Sequence, residues 1–475
     1  MAKHDHLHKL TATAAVKLLK AGKVSPRELV DAAEARIRSV EGAVNALPTL
    51  CFERARERAK KVKKASLLAG LPIAIKDLTD VAGVRTTYGS PIYADNVPLR
   101  SNILVERLEA NGALVVAKSN TPEFGAGANT FNPVFGATRN PWDTRLSAAG
   151  SSGGAAVALA TGQVWLAEGS DLGGSLRTPA AFNSVVGLRV SPGRIARAPA
   201  NLPYDILGVT GPMARNVADL ALMLDAMAGD DPADPIAMPA PETPFSAALR
   251  RAKPPKRVAF SPDLGICTVD PEIASVCAEA AAGFSALGAA VEEASPDFSG
   301  ACEAFNALRA LRFVSAREPL LKTHRAQLKD DVIWNIEEGL RLTPSDIGRA
   351  ERERAALFKR VAAFFETYDL LIAPAMQAKP YPVEKVYVDE IAGKKMRSYI
   401  DWITITFAIS VTGCPALAMP AGFSKEGLPI GLQIVGPPRS EARLLAAGKQ
   451  LEDMLGIAEQ LPIDPRVRHE AQRRP

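Results

Sequence analysis

Histidine is the scarcest chemistry-bearing side chain here. The chain has five in 475 residues, His4, His6, His8, His324 and His469, and four of them lie within a few residues of a terminus. A Ser-His-Asp triad would rest on His324 or a terminal imidazole. There is no HExxH pair and no glycine loop closed by a Walker lysine, which removes metalloprotease and P-loop chemistry. His4, His6 and His8 are expected to lie on a mobile terminus, and Gly125-Ala126-Gly127 is too short for a dinucleotide fingerprint.

Cysteine is equally sparse. Cys51, Cys267, Cys277, Cys302 and Cys414 are odd in number and lack CxxC spacing, so neither a disulfide framework nor a zinc site is expected. A reducing compartment fits. MAKHDHLHKL has no apolar stretch of the secretory kind, and a cytoplasmic location is expected. An excess of one charge is also missing: 57 basic residues face 52 acidic ones. The basic runs at 54–64 and at Arg466, Arg468, Arg473 and Arg474 read as solvated faces, and nucleic acid is not an expected partner. Two charge-free windows are long enough to span a membrane. Residues 146–167 are too rich in Gly, Ser and Ala, and residues 402–424 are broken by Gly413, Pro415 and Pro420, so no membrane association is expected. Within the second window the alternation of WITITFAISV predicts a buried strand.

What remains is a globular composition, 47% hydrophobic and 23% charged, sufficient for a large core. Ser25-Pro26-Arg27-Glu28 predicts a capped helix with Leu29, Ala33, Ile37 and Val40 on one face. LPIAIKDLTDV, from Leu71, predicts a buried strand with Lys76 at its edge, SNILVERLEANG a helix, and ALVVAKS a parallel strand. Residues 120–193 are rich in Gly, Ser, Pro and Asn, with a helix expected after Gly154. Beyond a helix at 217–227 and a proline-rich connection at 230–244, the pattern continues with KRVAFSP, a helix from Pro271, helical segments through Arg360, and the strands YDLLIAPAM and GLPIGLQIVG. The expectation is one α/β domain over 1–475, with a peripheral lobe at about 230–395 as its one subdivision.

With histidine scarce, serine and lysine carry the chemistry. GSSGG (150–154) and SDLGGSLRTP (170–179) set serines beside glycines within apolar sequence. Standing alone, such stretches are linkers. Here Gly173 and Gly174 are expected to take dihedrals closed to other residues, turning backbone N–H groups into an anion-binding concavity before Ser175. A serine hydroxyl needs a base, and a lysine serves if burial brings its pKa toward neutrality. Lys76 stands in such surroundings, although a lysine at a strand end is more often a solvated charge, and spacing alone does not bring it to the serines.

The segments 131–143 (FNPVFGATRNPWD), 150–162, 169–182, 185–194, 413–422 and 427–436, together with Lys76-Asp77, resemble the amidase signature family in order and over most of the chain. The resemblance implies an amidase signature fold, a large mixed central β-sheet flanked by helices on both faces. It implies an amidohydrolase that turns a carboxamide into a carboxylate plus ammonia or an amine. Ser175 would be the nucleophile, Ser151 the bridging serine after a cis peptide bond and Lys76 the base. The backbone N–H groups of Leu172, Gly173, Gly174 and Ser175 would hold the oxyanion, Gly125 would line the acyl pocket, and Ser152, Asp171 and Arg177 would support them. Neither a cofactor nor a metal is implied, and the partner is a small-molecule amide, with a homodimer compatible.

Two departures stand out: Ala149-Gly150 where the family commonly has Gly-Gly, and Asn183-Ser184 where it commonly has Cys-Gly. Residues 198–204, Phe305, Phe313, Trp334 and 399–402 read first as core; as a lining, their apolar and aromatic character implies a hydrophobic or aryl acyl group. The alternatives are a biuret- or allophanate-type hydrolase, the glutaminase subunit of a tRNA-dependent amidotransferase, and a non-catalytic binding protein on the same fold.

Overall fold

The computed structural model describes residues 6–468, apart from Asn201 and Ala252; His4, His469, Arg473 and Arg474 lie outside the described residues. Its strands are β1 (Thr49–Leu50), β2 (Pro72–Lys76), β3 (Leu114–Ser119), β4 (Phe131–Asn132), β5 (Gly136–Ala137), β6 (Leu166–Asp171), β7 (Val186–Arg189) and β8 (Val209–Ala214). They continue with β9 (Arg257–Phe260), β10 (Ala290–Glu293), β11 (Leu370–Pro374), β12 (Glu390–Ile391), β13 (Lys394–Lys395), β14 (Ala416–Phe423) and β15 (Pro429–Val435). Eleven of them form one sheet in the order β1-β3-β2-β6-β8-β7-β14-β15-β11-β9-β10, while β4–β5 and β12–β13 are separate hairpins.

The sheet is mixed. β2 pairs in parallel with both β3 and β6, and β9 with both β10 and β11; the other neighbours are antiparallel. Strands from the stretch 230–395 extend this same sheet through the β11–β15 pairing, and the helices Ala301–His324, Asp330–Leu340 and Pro344–Thr367 pack together beside it. Both faces are covered. Gly187 of β7 lies opposite Ala418 of β14, and a β-carbon on Gly187 would meet Leu176 O at 2.8 Å, in the turn leading into the helix Arg177–Asn183. Leu417, pointing the other way, meets Gly448 of the helix Glu441–Leu455.

Local signals explain the elements. Ser25 Oγ accepts from Glu28 N and the Glu28 carboxylate accepts from Ser25 N (2.7 Å), closing the capping box of the helix Pro26–Val44. β2 and β3 are buried throughout, as expected of strands covered on both faces.

Two expectations are corrected. WITITFAISV is not a strand: Asp401–Ile403 is a 3-10 turn and Thr404–Thr412 an α-helix ended by Gly413 at φ 70°. All nine residues of that helix are buried, so it has no polar face to display a helical period, and its β-branched residues imitate a strand. His6 and His8 are not on a mobile arm: Leu7–Lys9 forms a 3-10 turn, and Arg215 Nη1 donates to His8 O (2.8 Å). No helix among the described residues is long and apolar enough to cross a membrane.

Candidate active site

Parallel pairing of β2 with β6, in the register Ile73↔Leu166 and Ala74↔Ala167, sets their carboxyl ends side by side, where open α/β sheets bind ligands. β2 delivers Lys76 as its last residue. β6 delivers Glu168, Ser170 and Asp171 and runs on into the loop 172–175. A third segment, 150–152, enters over them with a cis Gly150–Ser151 peptide and leads into the helix Gly153–Ala160. That helix starts against other backbone: a β-carbon on Gly154 would lie 2.4 Å from Asn120 N and 2.6 Å from Ala46 O, so glycine is required.

These segments bring Lys76, Ser151 and Ser152 together. The fully buried Lys76 Nζ lies 2.7 Å from Ser151 Oγ, 2.8 Å from Ser152 Oγ and 3.1 Å from Ser170 Oγ. Ser152 N donates to Ser175 O (3.2 Å), tying the two serine loops to each other. Gly125 is adjacent, since a β-carbon there would come within 3.6 Å of Ser151 Oγ. Ser151 and the half-buried Ser175 line a cavity of about 510 Å³.

The loop 172–175 is shaped from beneath by a buried ion cluster. Asp171 accepts from Gly174 N (3.0 Å) and Leu176 N (3.2 Å), from Arg177 Nε and Nη2 (both 3.0 Å), and from Arg189 Nη1 (3.1 Å). Arg177 spends its remaining donors on Thr406 O, Gln433 Oε1 and Ser410 Oγ, at 2.7–2.8 Å. Burial opposes the Asp171 charge, but the two guanidiniums outweigh it and hold the carboxyl well below its usual range.

This arrangement changes two expectations. The Gly174 N–H is committed to Asp171 and is not free to receive an oxyanion. The N–H groups of Leu172, Gly173 and Ser175 have no partner among the described residues. The two glycines also differ in purpose. Gly174 has φ 127° and no room for a side chain, with Thr406 Oγ1 2.2 Å from where a β-carbon would be, whereas Gly173 keeps an ordinary φ and is small because the Phe305 ring stands 2.9 Å from its β-carbon position.

Several contributors went unnoticed in the sequence. Glu168 is fully buried, its carboxylate accepting from Lys76 N (2.8 Å) and Thr79 Oγ1 (3.1 Å). Lys118, equally buried, lies 3.5 Å from Asp77 and donates to Thr79 O and Thr86 Oγ1. Burial lowers Lys76 to about 7, against the opposing pull of the Glu168 and Asp171 carboxylates. Burial likewise raises Glu168 to about 7, against the Lys76 N–H and the charges of Lys76 and Lys118. Both groups are thus poised to lose their charge near neutrality. Ser170 completes the set around Lys76. The only sequence signal for Glu168 and Lys118 was a single charge inside an otherwise apolar run.

Phe305, Phe313, Tyr399, Ile400, Pro199 and Leu202 line the cavity. Trp334 stands behind Tyr399, and Trp402 lies in the core beside Phe182 and Tyr381. None of the described histidines lines the cavity.

The family model described as Amidase matches residues 28–445. An acylamidase of Rhodococcus erythropolis is 36% identical over 473 residues, covering 98% of this chain and 99% of that protein. One subunit of the glutamyl-tRNA(Gln) amidotransferase of Moorella thermoacetica is 34% identical, covering 94% of this chain and 96% of that protein. The crystal structure of a bacterial aryl acylamidase belonging to the amidase signature enzymes aligns with a TM-score of 0.87 at 27% identity, covering 96% of this chain and 99% of that one.

Proposed function

The chain belongs to the amidase signature family and is an amide-hydrolysing enzyme, and from that premise we propose that it works through an acyl-enzyme on Ser175, with Ser151 relaying protons to and from Lys76. The observation that carries this reading is the 2.7 Å approach of a buried lysine amine to Ser151 in a wall shared with Ser175.

Burial supports a neutral amine as the working form, and the hydrogen bonds accommodate it. Ser152 Oγ donates to Ser170 O and accepts from Ser170 N (both 3.3 Å), so toward Lys76 it is an acceptor. A neutral amine has two N–H groups and one lone pair. Its N–H groups go to Ser152 and Ser170, and its lone pair faces the Ser151 hydroxyl. Ser151 then gives its proton to Lys76 as it takes one from Ser175, whose Oγ attacks the amide carbon. The oxyanion falls to the free N–H groups of Leu172, Gly173 and Ser175, while Gly174 shapes the loop. Ser151 returns the proton to the departing amine, and water hydrolyses the ester by the reverse relay.

The aromatic lining and the likeness to an acylamidase and an aryl acylamidase support a hydrophobic or aryl acyl group. Cys51, Cys267, Cys277, Cys302 and Cys414, all free thiols, support work in a reducing, cytoplasmic setting. The whole chain is the catalytic unit in this reading, with the helices of 301–367 as its substrate-side wall. The test is ammonia or amine release from a panel of aliphatic, aryl and urea-like amides by the wild type and by Ser175→Ala. Turnover confined to the wild type is expected, and full turnover by the variant would remove Ser175 as nucleophile.

A further inference from the structure

The cavity is lopsided in charge. Arg197, Arg309, Arg312 and Arg317 line it, against Asp80 and Asp171. Both aspartates are engaged, Asp171 by Arg177 and Arg189, and Asp80 as acceptor from Tyr88 OH (2.7 Å). Among the arginines, Arg312 is paired with Asp205 (2.8 Å), Arg197 donates to the carbonyls of Asp205 and Gly208 (2.6 Å each), and Arg317 lies over the Phe124 ring (4.4 Å) with its Nη1 on Ala316 O (3.2 Å).

Arg309 is the one buried arginine of the four. It is 3% exposed and has no ion pair among the described residues. Its Nη1 donates to Tyr399 OH (3.3 Å), its buried Nε has no partner, and its Nη2 makes no hydrogen bond among the described residues. The rings of Trp334 and Phe305 lie 5.0 and 6.0 Å from the guanidinium carbon and offset only part of the cost of burying the charge. Asp331, on the neighbouring helix, is occupied by Lys329 (2.5 Å). Tyr399 OH accepts from Arg309 and from Asn335 Nδ2 (2.8 Å), which leaves its own O–H to donate. A buried cation without a counter-charge, beside a hydroxyl with a free proton, is a half-built anion site.

Its distance from the chemistry is readable. Phe305 touches Gly173 of the oxyanion loop, and Arg309 stands four residues further along the same helix, a rise of about 6 Å. We propose that the substrate carries a carboxylate, separated from the scissile amide by about the length of an aromatic ring, and that Arg309 with the Tyr399 hydroxyl binds it. This rests on the amide-hydrolase reading of the same cavity and narrows it to acidic amides. Phe305 and Phe313 hold the apolar middle of the molecule, and the guanidinium takes its charged end.

The test uses matched pairs: 4-carbamoylbenzoate against 4-methylbenzamide, and 4-acetamidobenzoate against 4-methylacetanilide, with the carboxylate on the acyl side in the first and on the amine side in the second. In the wild type, kcat/KM is expected to favour the carboxylate about tenfold to hundredfold in one pair. Within Arg309→Met that ratio is expected to fall to near one, and Arg309→Lys is expected to keep part of it. Because the ratio is internal to each protein, it is independent of the folded fraction. A wild-type ratio at or below one in both pairs, or a preference that survives Arg309→Met, overturns the proposal. Failure to hydrolyse any amide would count against the amide-hydrolase reading instead. The anion site is then judged by calorimetric binding of terephthalate: wild-type binding lost in Arg309→Met supports it, and absent or equal binding overturns it.

Discussion

Replacing Asp171 by Asn tests whether the ion cluster beneath the loop 172–175 is what shapes it. The change is nearly isosteric, yet one carboxylate oxygen becomes an NH2 group, which must face donors on Gly174 and Arg177 or on Leu176 and Arg177. Arg177 and Arg189, both fully buried, then share no counter-charge. Breaking a buried pair on one side costs about 3–5 kcal/mol. With an unfolding entropy of about 2.1 cal/mol/K per residue, a chain of this length loses about 3–5 °C of Tm.

The pH dependence has a definite sign. The folded-state pKa of Asp171 is depressed, so its contribution is fully present above the unfolded carboxyl value of about 3.9 and is lost as pH falls through the folded value. The gap between wild type and variant is therefore complete at neutral pH and narrows in acid. Because the loop also carries the proposed oxyanion donors, kcat should fall by about 10²-fold or more. Calorimetric Tm at pH 7 and at about pH 2, with kcat on one amide at pH 7, checks both arms. A variant with unchanged Tm and kcat at pH 7 would refute the reasoning.

Two other substitutions probe the base and the backbone. The wild-type kcat/KM should rise with pH through about 7 as Lys76 loses its proton, and Glu168→Gln should move that limb to lower pH, since the carboxylate favours the charged amine; a limb that stays in place or moves up counts against Glu168 as a tuning group. Ser184 has φ 59°, a hydroxyl that is buried without a partner, and the position where the family commonly has glycine, so Ser184→Gly should stabilise the protein by about 1 kcal/mol, read as a higher denaturant midpoint.

Much of the scaffold is legible because its signals are local. Ser25 and Glu28 mark a helix start within four residues, and the apolar run before Lys76 marks a buried strand end. The serines and glycines of 150–154 and 170–179 stand out because linkers do not end in strands and helices. Charges acting across strands are not legible in this way. Glu168 and Lys118 look like single charges in apolar runs until β2, β3 and β6 pair and bury them. Arg309 sits within a long, mixed helix whose period shows which way it faces but not that its counter-charge is missing. The helix Thr404–Thr412 was concealed by its own burial, which leaves no polar stripe to count.

The central claim is that Lys76, through Ser151, activates Ser175. Its most direct test is the rate at which a fluorophosphonate labels the intact protein across pH 5–9, with the labelled residue mapped by peptide mass. Labelling of Ser175 that accelerates through about pH 7 in the wild type and becomes slow and pH-independent in Lys76→Ala is the expected result. Equal labelling rates in the two proteins, or a label on another residue, would contradict it.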